Sequence, residues 1–139
     1  MGIIRQMGGT MSFISDIEDF HKKFKLEYTG QPRVLPDDLR LFRLNFISEE
    51  LSEYNLSKTL EDEFDALIDM VYVILGTAHM QGLDFQAGWD RVHEANMQKV
   101  RGKSERSDTY DVIKPDGWTA PVLTDLCNEQ LGLFDDNNT

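Results

Sequence analysis

Cysteine occurs once in the 139 residues, at Cys127, and histidine three times. A single thiol rules out an intrachain disulfide, and no Cys/His grouping has the spacing of zinc ligands. That usage suits a reducing, cytoplasmic setting. No apolar run approaches the roughly 20 residues that span a bilayer, so no membrane partner is expected. Met1 to Thr10 carries one charge, Arg5, and no apolar stretch, so it does not read as a secretory signal. Met11 is an alternative start, and residues 1–12 are expected to be flexible. Cations are scarce too: 14 Lys and Arg stand against 25 Asp and Glu, a net charge of -11. The excess argues against nucleic acid, because backbone phosphates are bound by clustered Lys and Arg. An anionic small molecule stays compatible with such a surface if metal ions bridge the two.

Strand alternation is nearly absent, and the apolar periodicity is helical. Ser15 and Glu18 have the spacing of a capping box, which predicts a first helix from about Ser15. Phe13, Ile17, Phe20 and Phe24 mark its apolar face. Turn residues from Thr29 to Pro36 predict a loop. A second helix is expected from about Asp37 to Leu56, with Asp37 and Asp38 favourable at its positive end. A third is expected from about Leu60 to Met80, closed by Gly82. A fourth is expected from Asp84 to about Val100. The architecture implied is an all-α, four-helix bundle-like domain over 13–101. Residues 102–139 are expected to be a loop-rich C-terminal extension that packs on it and frays at the end, with Trp118 needing somewhere to pack.

The acids sit where a solvated helix would not place them. On a wheel of about 100° per residue, Leu39, Phe42, Phe46, Ile47 and Tyr54 make the apolar stripe of the second helix. Glu50 and Glu53 fall inside that stripe and Glu49 on its margin. The third helix reads FDALIDMVYVILGTA from Phe64 to Ala78, apolar nearly all round. Its charges there are Asp65 and Asp69, four apart on one face. A short link around Ser57 to Thr59 makes the two helices antiparallel neighbours, which sets the acids at similar heights. Buried carboxylates without partners cost several kcal/mol each, and a hard cation such as Mg²⁺, with Mn²⁺ as substitute, compensates them. The plainer reading is a solvated helix end plus salt bridges from Asp65 and Asp69 to Arg40 or Arg43.

The stretch RLNFISEELSE from Arg43 to Glu53, followed by DALIDMVYV from Asp65 to Val73, resembles the MazG-like all-α nucleoside triphosphate pyrophosphohydrolases. That superfamily includes phosphoribosyl-ATP pyrophosphohydrolase, and a phage and bacterial subgroup is the nearest in pattern. The resemblance rests on E-E-x-x-E at Glu49, Glu50 and Glu53, with Asp69 matching the last acid of E-x-x-D. Ala66 stands where that second motif has Glu, and Asp65 lies one position earlier, which leaves the fourth ligand open. VHEANMQK from Val92 to Lys99 and IKPDGW from Ile113 to Trp118 extend the similarity, which covers about Phe20 to Pro121.

The resemblance implies Mg²⁺-dependent hydrolysis of a nucleoside or deoxynucleoside triphosphate to the monophosphate and pyrophosphate. The metal ligands would be Glu50, Glu53, Asp69 and Asp65, and Glu49 or Glu50 would handle the attacking water. On the fourth helix, Phe85, Trp89, Val92, Asn96 and Lys99 share a face. Asn96 is a candidate substrate contact, and Lys99, Arg101, Lys103 and Lys114 are candidate phosphate ligands. Phe20, Phe24 and Trp89 are candidates to stack on the base. His21, His79 and His93 are isolated; Asp90 and His93 make a single imperfect half of a di-iron pattern, so a structural histidine is the better reading. A nearly all-apolar helix in so short a chain needs covering, which predicts a homodimer or homotetramer. The D-x-x-x-D spacing keeps open a catalytically silent bundle that binds a nucleotide or a regulatory partner.

Overall fold

The computed structural model describes residues 12–127, which fall into two compact units that meet between residues 85 and 86. Its helices hold 59% of those residues, beside one two-stranded ladder, so the chain is all-α. The expectations for residues 1–11 and for the frayed tail concern parts outside the described residues.

The first unit is built on three helices: α1 (Phe13–Lys23), α2 (Asp37–Leu56) and α3 (Leu60–Met80). The start of α1 departs from expectation. Ser12, not Ser15, is the N-cap: its hydroxyl accepts from the Ser15 N–H at 3.1 Å, and the Ser12 N–H donates back to the Ser15 hydroxyl at 2.9 Å. A serine at the third helical position reciprocates as a glutamate would. Helix α2 follows Pro36, whose restricted φ suits a helix entrance. Thr59 caps α3 by accepting from the Asp62 N–H at 3.1 Å, ahead of Glu61, Asp62 and Glu63 in the first turn.

Gly82 ends α3 with φ 69°; its N–H donates to the His79 carbonyl and the Leu83 N–H to that of Ala78, a Schellman closure. Arg33 seals the same end, donating from Nε to the Met80 carbonyl at 2.9 Å. Helices α2 and α3 pack along their length and α1 lies on α3. The core between them holds Ile17, Leu35, Ala66, Val73, Leu75, Ala78 and Met80. Much apolar surface stays outside it: Leu60, Phe64, Leu67, Ile68, Val71 and Ile74 of α3 are all exposed.

The second unit contains α4 (Phe85–Asn96) apart from its first residue, then β1 (Val100–Arg101), β2 (Val112–Ile113) and α5 (Thr124–Cys127). Helix α4 stops at Asn96 rather than near Val100. The chain turns through residues 97–98, and Val100 and Arg101 pair antiparallel with Ile113 and Val112. Lys99 therefore lies beyond the helix and off the face that carries Asn96. Asp111 pins the loop between the strands, accepting from Ser104 and from both arms of the Arg106 guanidinium at 2.9 and 3.0 Å. Arg91 of α4 makes a two-pronged bond to Asp125 of α5 at 2.6 and 2.9 Å.

Candidate active site

The α2–α3 pair buries two charged groups of opposite sign. Arg43 is 6% exposed. Its Nη2 donates to the Val73 carbonyl at 2.9 Å and its Nε to Thr77 Oγ1 at 3.1 Å. Gly76 makes room, because a Cβ there would lie 2.8 Å from both Arg43 Nη2 and His21 Nε2. His21 is buried with its ring edge-on to His79, centroids 4.8 Å apart, so two histidines isolated in sequence meet in space. Burial first, then the charges of His79 and Arg43, holds the His21 imidazole below its ordinary pKa.

Two turns along α2 the situation reverses. Glu50 is 9% exposed, and its Oε2 is buried with no hydrogen-bond partner. Burial, hydrogen bonding with Glu53 and the negative charges of Glu53, Asp69 and Glu49 push its pKa up to about 7. Asp69 on α3 is also raised, by burial and by the charges of Asp65 and Glu53, while a hydrogen bond with Glu50 pulls it back. Glu49, Glu50, Glu53, Asp65 and Asp69 thus form one electrostatic cluster, with Glu50 at its centre. Bonds between carboxyl groups need a proton, so the cluster is poised to hold one between Glu50 and its neighbours. In this arrangement no three His, Cys, Asp or Glu side chains among the described residues are preset to grip a metal. Among those residues neither Asp65 nor Asp69 forms an ion pair with Arg40 or Arg43, contrary to the plainer reading.

The aromatic candidates part company. Phe20 lies 4.8 Å from Phe24 and 5.2 Å, edge-on, from Tyr72. Tyr72 was not singled out from the sequence, although it follows Asp69 by three on α3 and so shares its side of the helix. Trp89 and Asn96 lie on exposed positions of α4 in the other unit. The four candidate cations divide as well. Arg101 donates from Nε and Nη2 to the Thr109 carbonyl at 3.1 and 2.6 Å, and Lys103 faces Asp108 at 3.8 Å. Lys99 and Lys114 instead place their Nζ atoms 5.2 and 5.1 Å from the centre of the Trp118 ring. A cavity of about 510 Å³ in the first unit is lined by Glu18, Asp19, Tyr28, His79 and Asp84, not by the acid cluster. Chemistry, rather than concavity, marks the α2–α3 site.

A family model described as phosphoribosyl-ATP pyrophosphohydrolase matches residues 17–96, from α1 through the end of α4. This places the chain in the MazG-like superfamily of NTP pyrophosphohydrolases. Within it, the chain belongs to the phosphoribosyl-ATP pyrophosphohydrolase family. Comparison with curated proteins returns no match. Family membership implies a nucleotide pyrophosphohydrolase in the general sense.

Proposed function

We propose that the protein hydrolyses a nucleoside or deoxynucleoside triphosphate between its α and β phosphates, releasing the monophosphate and pyrophosphate. The observation that carries this reading is Glu50: a buried carboxyl with an orphaned oxygen, ringed by Glu49, Glu53, Asp65 and Asp69. An all-oxygen donor set with a raised pKa and an unsatisfied buried acceptor fits a hard divalent cation, Mg²⁺ or Mn²⁺. Glu50, Glu53 and Asp69 would hold it, with Asp65 as the fourth ligand. When bound, the metal supplies neutralisation of the polyphosphate charge. Glu50, whose pKa is raised to about 7, would hold the metal in its ionised form. Glu49, exposed at the margin of the cluster, orients the attacking water and accepts its proton, and Glu50 is its rival for that role. Phe20, Phe24 and Tyr72 offer an aromatic surface for the base.

The reading extends to assembly. An apolar groove of about 450 Å³ along α3, walled by Phe13, Phe64, Leu67, Ile68 and Val71, is open in the single chain. A second copy covering it, in a homodimer or homotetramer, would remove that surface from water. Analytical ultracentrifugation tests this, and an active monomer overturns it.

The deciding experiment is a panel of NTPs, dNTPs and phosphoribosyl-ATP with Mg²⁺, assayed for monophosphate and pyrophosphate. Pyrophosphate from at least one nucleotide is the expected result. Orthophosphate alone would mean cleavage elsewhere in the chain of phosphates. Binding without release would favour the silent bundle left open by the D-x-x-x-D spacing.

A further inference from the structure

The acidity of this chain makes unpaired cations informative. In the second unit Arg91 is matched by Asp125, Lys103 by Asp108 and Arg106 by Asp111. Lys99 and Lys114 take part in no salt bridge among the described residues. They are also placed against each other. The register pairs Val100 with Ile113 at the end of the two-residue ladder, so Lys99 and Lys114 are the residues that flank that last pair, one on each strand. Both reach the same ring. Both ammonium groups lie within 5.2 Å of the centre of Trp118, close enough for attraction to its π face. The indole is itself anchored: Nε1–H donates to the Ala95 carbonyl at 2.7 Å, and the Trp118 N–H to the Pro115 carbonyl at 3.0 Å. Gly117, with φ 82°, supplies the left-handed turn before it.

We propose that Trp118 is a positioning residue that holds Lys99 and Lys114 together as one binding site for a phosphate-type oxyanion. Two ammonium groups kept on one ring suit a multiply charged ligand with oxygens at both ends, and inorganic pyrophosphate has that form. Its assignment as the product bound here rests on the hydrolytic reading above; the site itself does not. Arg101 and Lys103 are not part of it, because the carbonyl of Thr109 and the carboxylate of Asp108 already engage them.

The test is pyrophosphate binding to the full-length protein in EDTA, by calorimetry, so that no metal contributes. Lys99→Gln and Lys114→Gln should each weaken binding at least about tenfold, the worth of one charge-assisted contact. Trp118→Leu should do the same with both lysines intact, whereas Trp118→Phe, which keeps a π face, should restore most of the affinity. Lys103→Gln and Glu50→Gln should change it less than about twofold. Circular dichroism checks each variant, and if Trp118→Leu unfolds, the two lysine variants and Trp118→Phe decide. Absence of wild-type binding overturns the proposal. So does unchanged affinity in either lysine variant, or an equal loss in Lys103→Gln. If no nucleotide is hydrolysed and this pattern still appears, the site stands and the reaction falls; hydrolysis without the pattern gives the converse.

Discussion

Arg43 and Glu50 sit two turns apart on the same helix, both nearly out of water, and the protein treats them differently. The Arg43 guanidinium finds a backbone carbonyl and a hydroxyl on α3, and Gly76 gives it and His21 space. Its burial is settled within the chain. Glu50 is left with an orphaned oxygen and with acids for neighbours. Its burial is settled only by something that arrives: a proton, or on our reading a cation. A charge satisfied internally reads as architecture, whereas one left unsatisfied among like charges reads as a site.

The contrast can be broken most severely through activity. Glu53→Gln should lower turnover at least about 100-fold, because on the proposed reading it removes a metal ligand and forfeits several kcal/mol of charge stabilisation. Its thermal midpoint should stay the same or rise, since one repulsive charge leaves the neighbourhood of Glu50. A drop in the midpoint with activity retained would place Glu53 on the architectural side.

Arg43→Met should act the other way. It should cost about 3 kcal/mol in urea denaturation through lost charged hydrogen bonds and an unfilled space. A smaller effect comes from Gly76→Ala. Its new Cβ would crowd Arg43 and His21 and should destabilise by about 2 kcal/mol, the usual scale of overpacking.

The subtlest test is pH on the metal-free protein. Glu50 is raised from 4.5 to about 7 in the folded state. The folded state then holds the proton more tightly than the unfolded chain. Stability from this group is full below about 4.5 and lost as pH climbs through about 7. His21 is lowered from 6.5, so its contribution is full above 6.5 and lost as pH falls below it. The two slopes oppose each other across mildly acidic pH. Glu50→Gln should unmask a stability that rises with pH there. A denaturation series from pH 5 to 7.5 reads it directly. A variant whose stability falls across that interval would place the titration elsewhere.

Much of the frame was legible beforehand. The bounds of α2 and α3 follow from local signals: Pro36 before Asp37, Thr59 before Leu60, and a glycine two residues past Met80. The end of α4 did not follow. Nothing between Asn96 and Val100 breaks a helix, and the chain leaves it because Val100 and Arg101 pair with a strand more than ten residues away. The pairing of Ser12 with Ser15, instead of Ser15 with Glu18, is a choice between two local solutions of similar worth. Tyr72 and the Trp118 clamp were missed because each depends on partners brought from distant stretches of chain.

By itself, the sequence determined that the chain is helical and that acids occupy helix faces otherwise built for burial. Periodicity and capping act over a few residues, and the residues themselves carry them. Only the tertiary structure decided which acid loses its water. Glu50 and Glu53 share the apolar stripe on a helical wheel, but the packing of α2 on α3 buries Glu50 and leaves Glu53 exposed, like Glu49 on the margin. Desolvation depends on the whole surrounding volume, and no spacing along one helix encodes it.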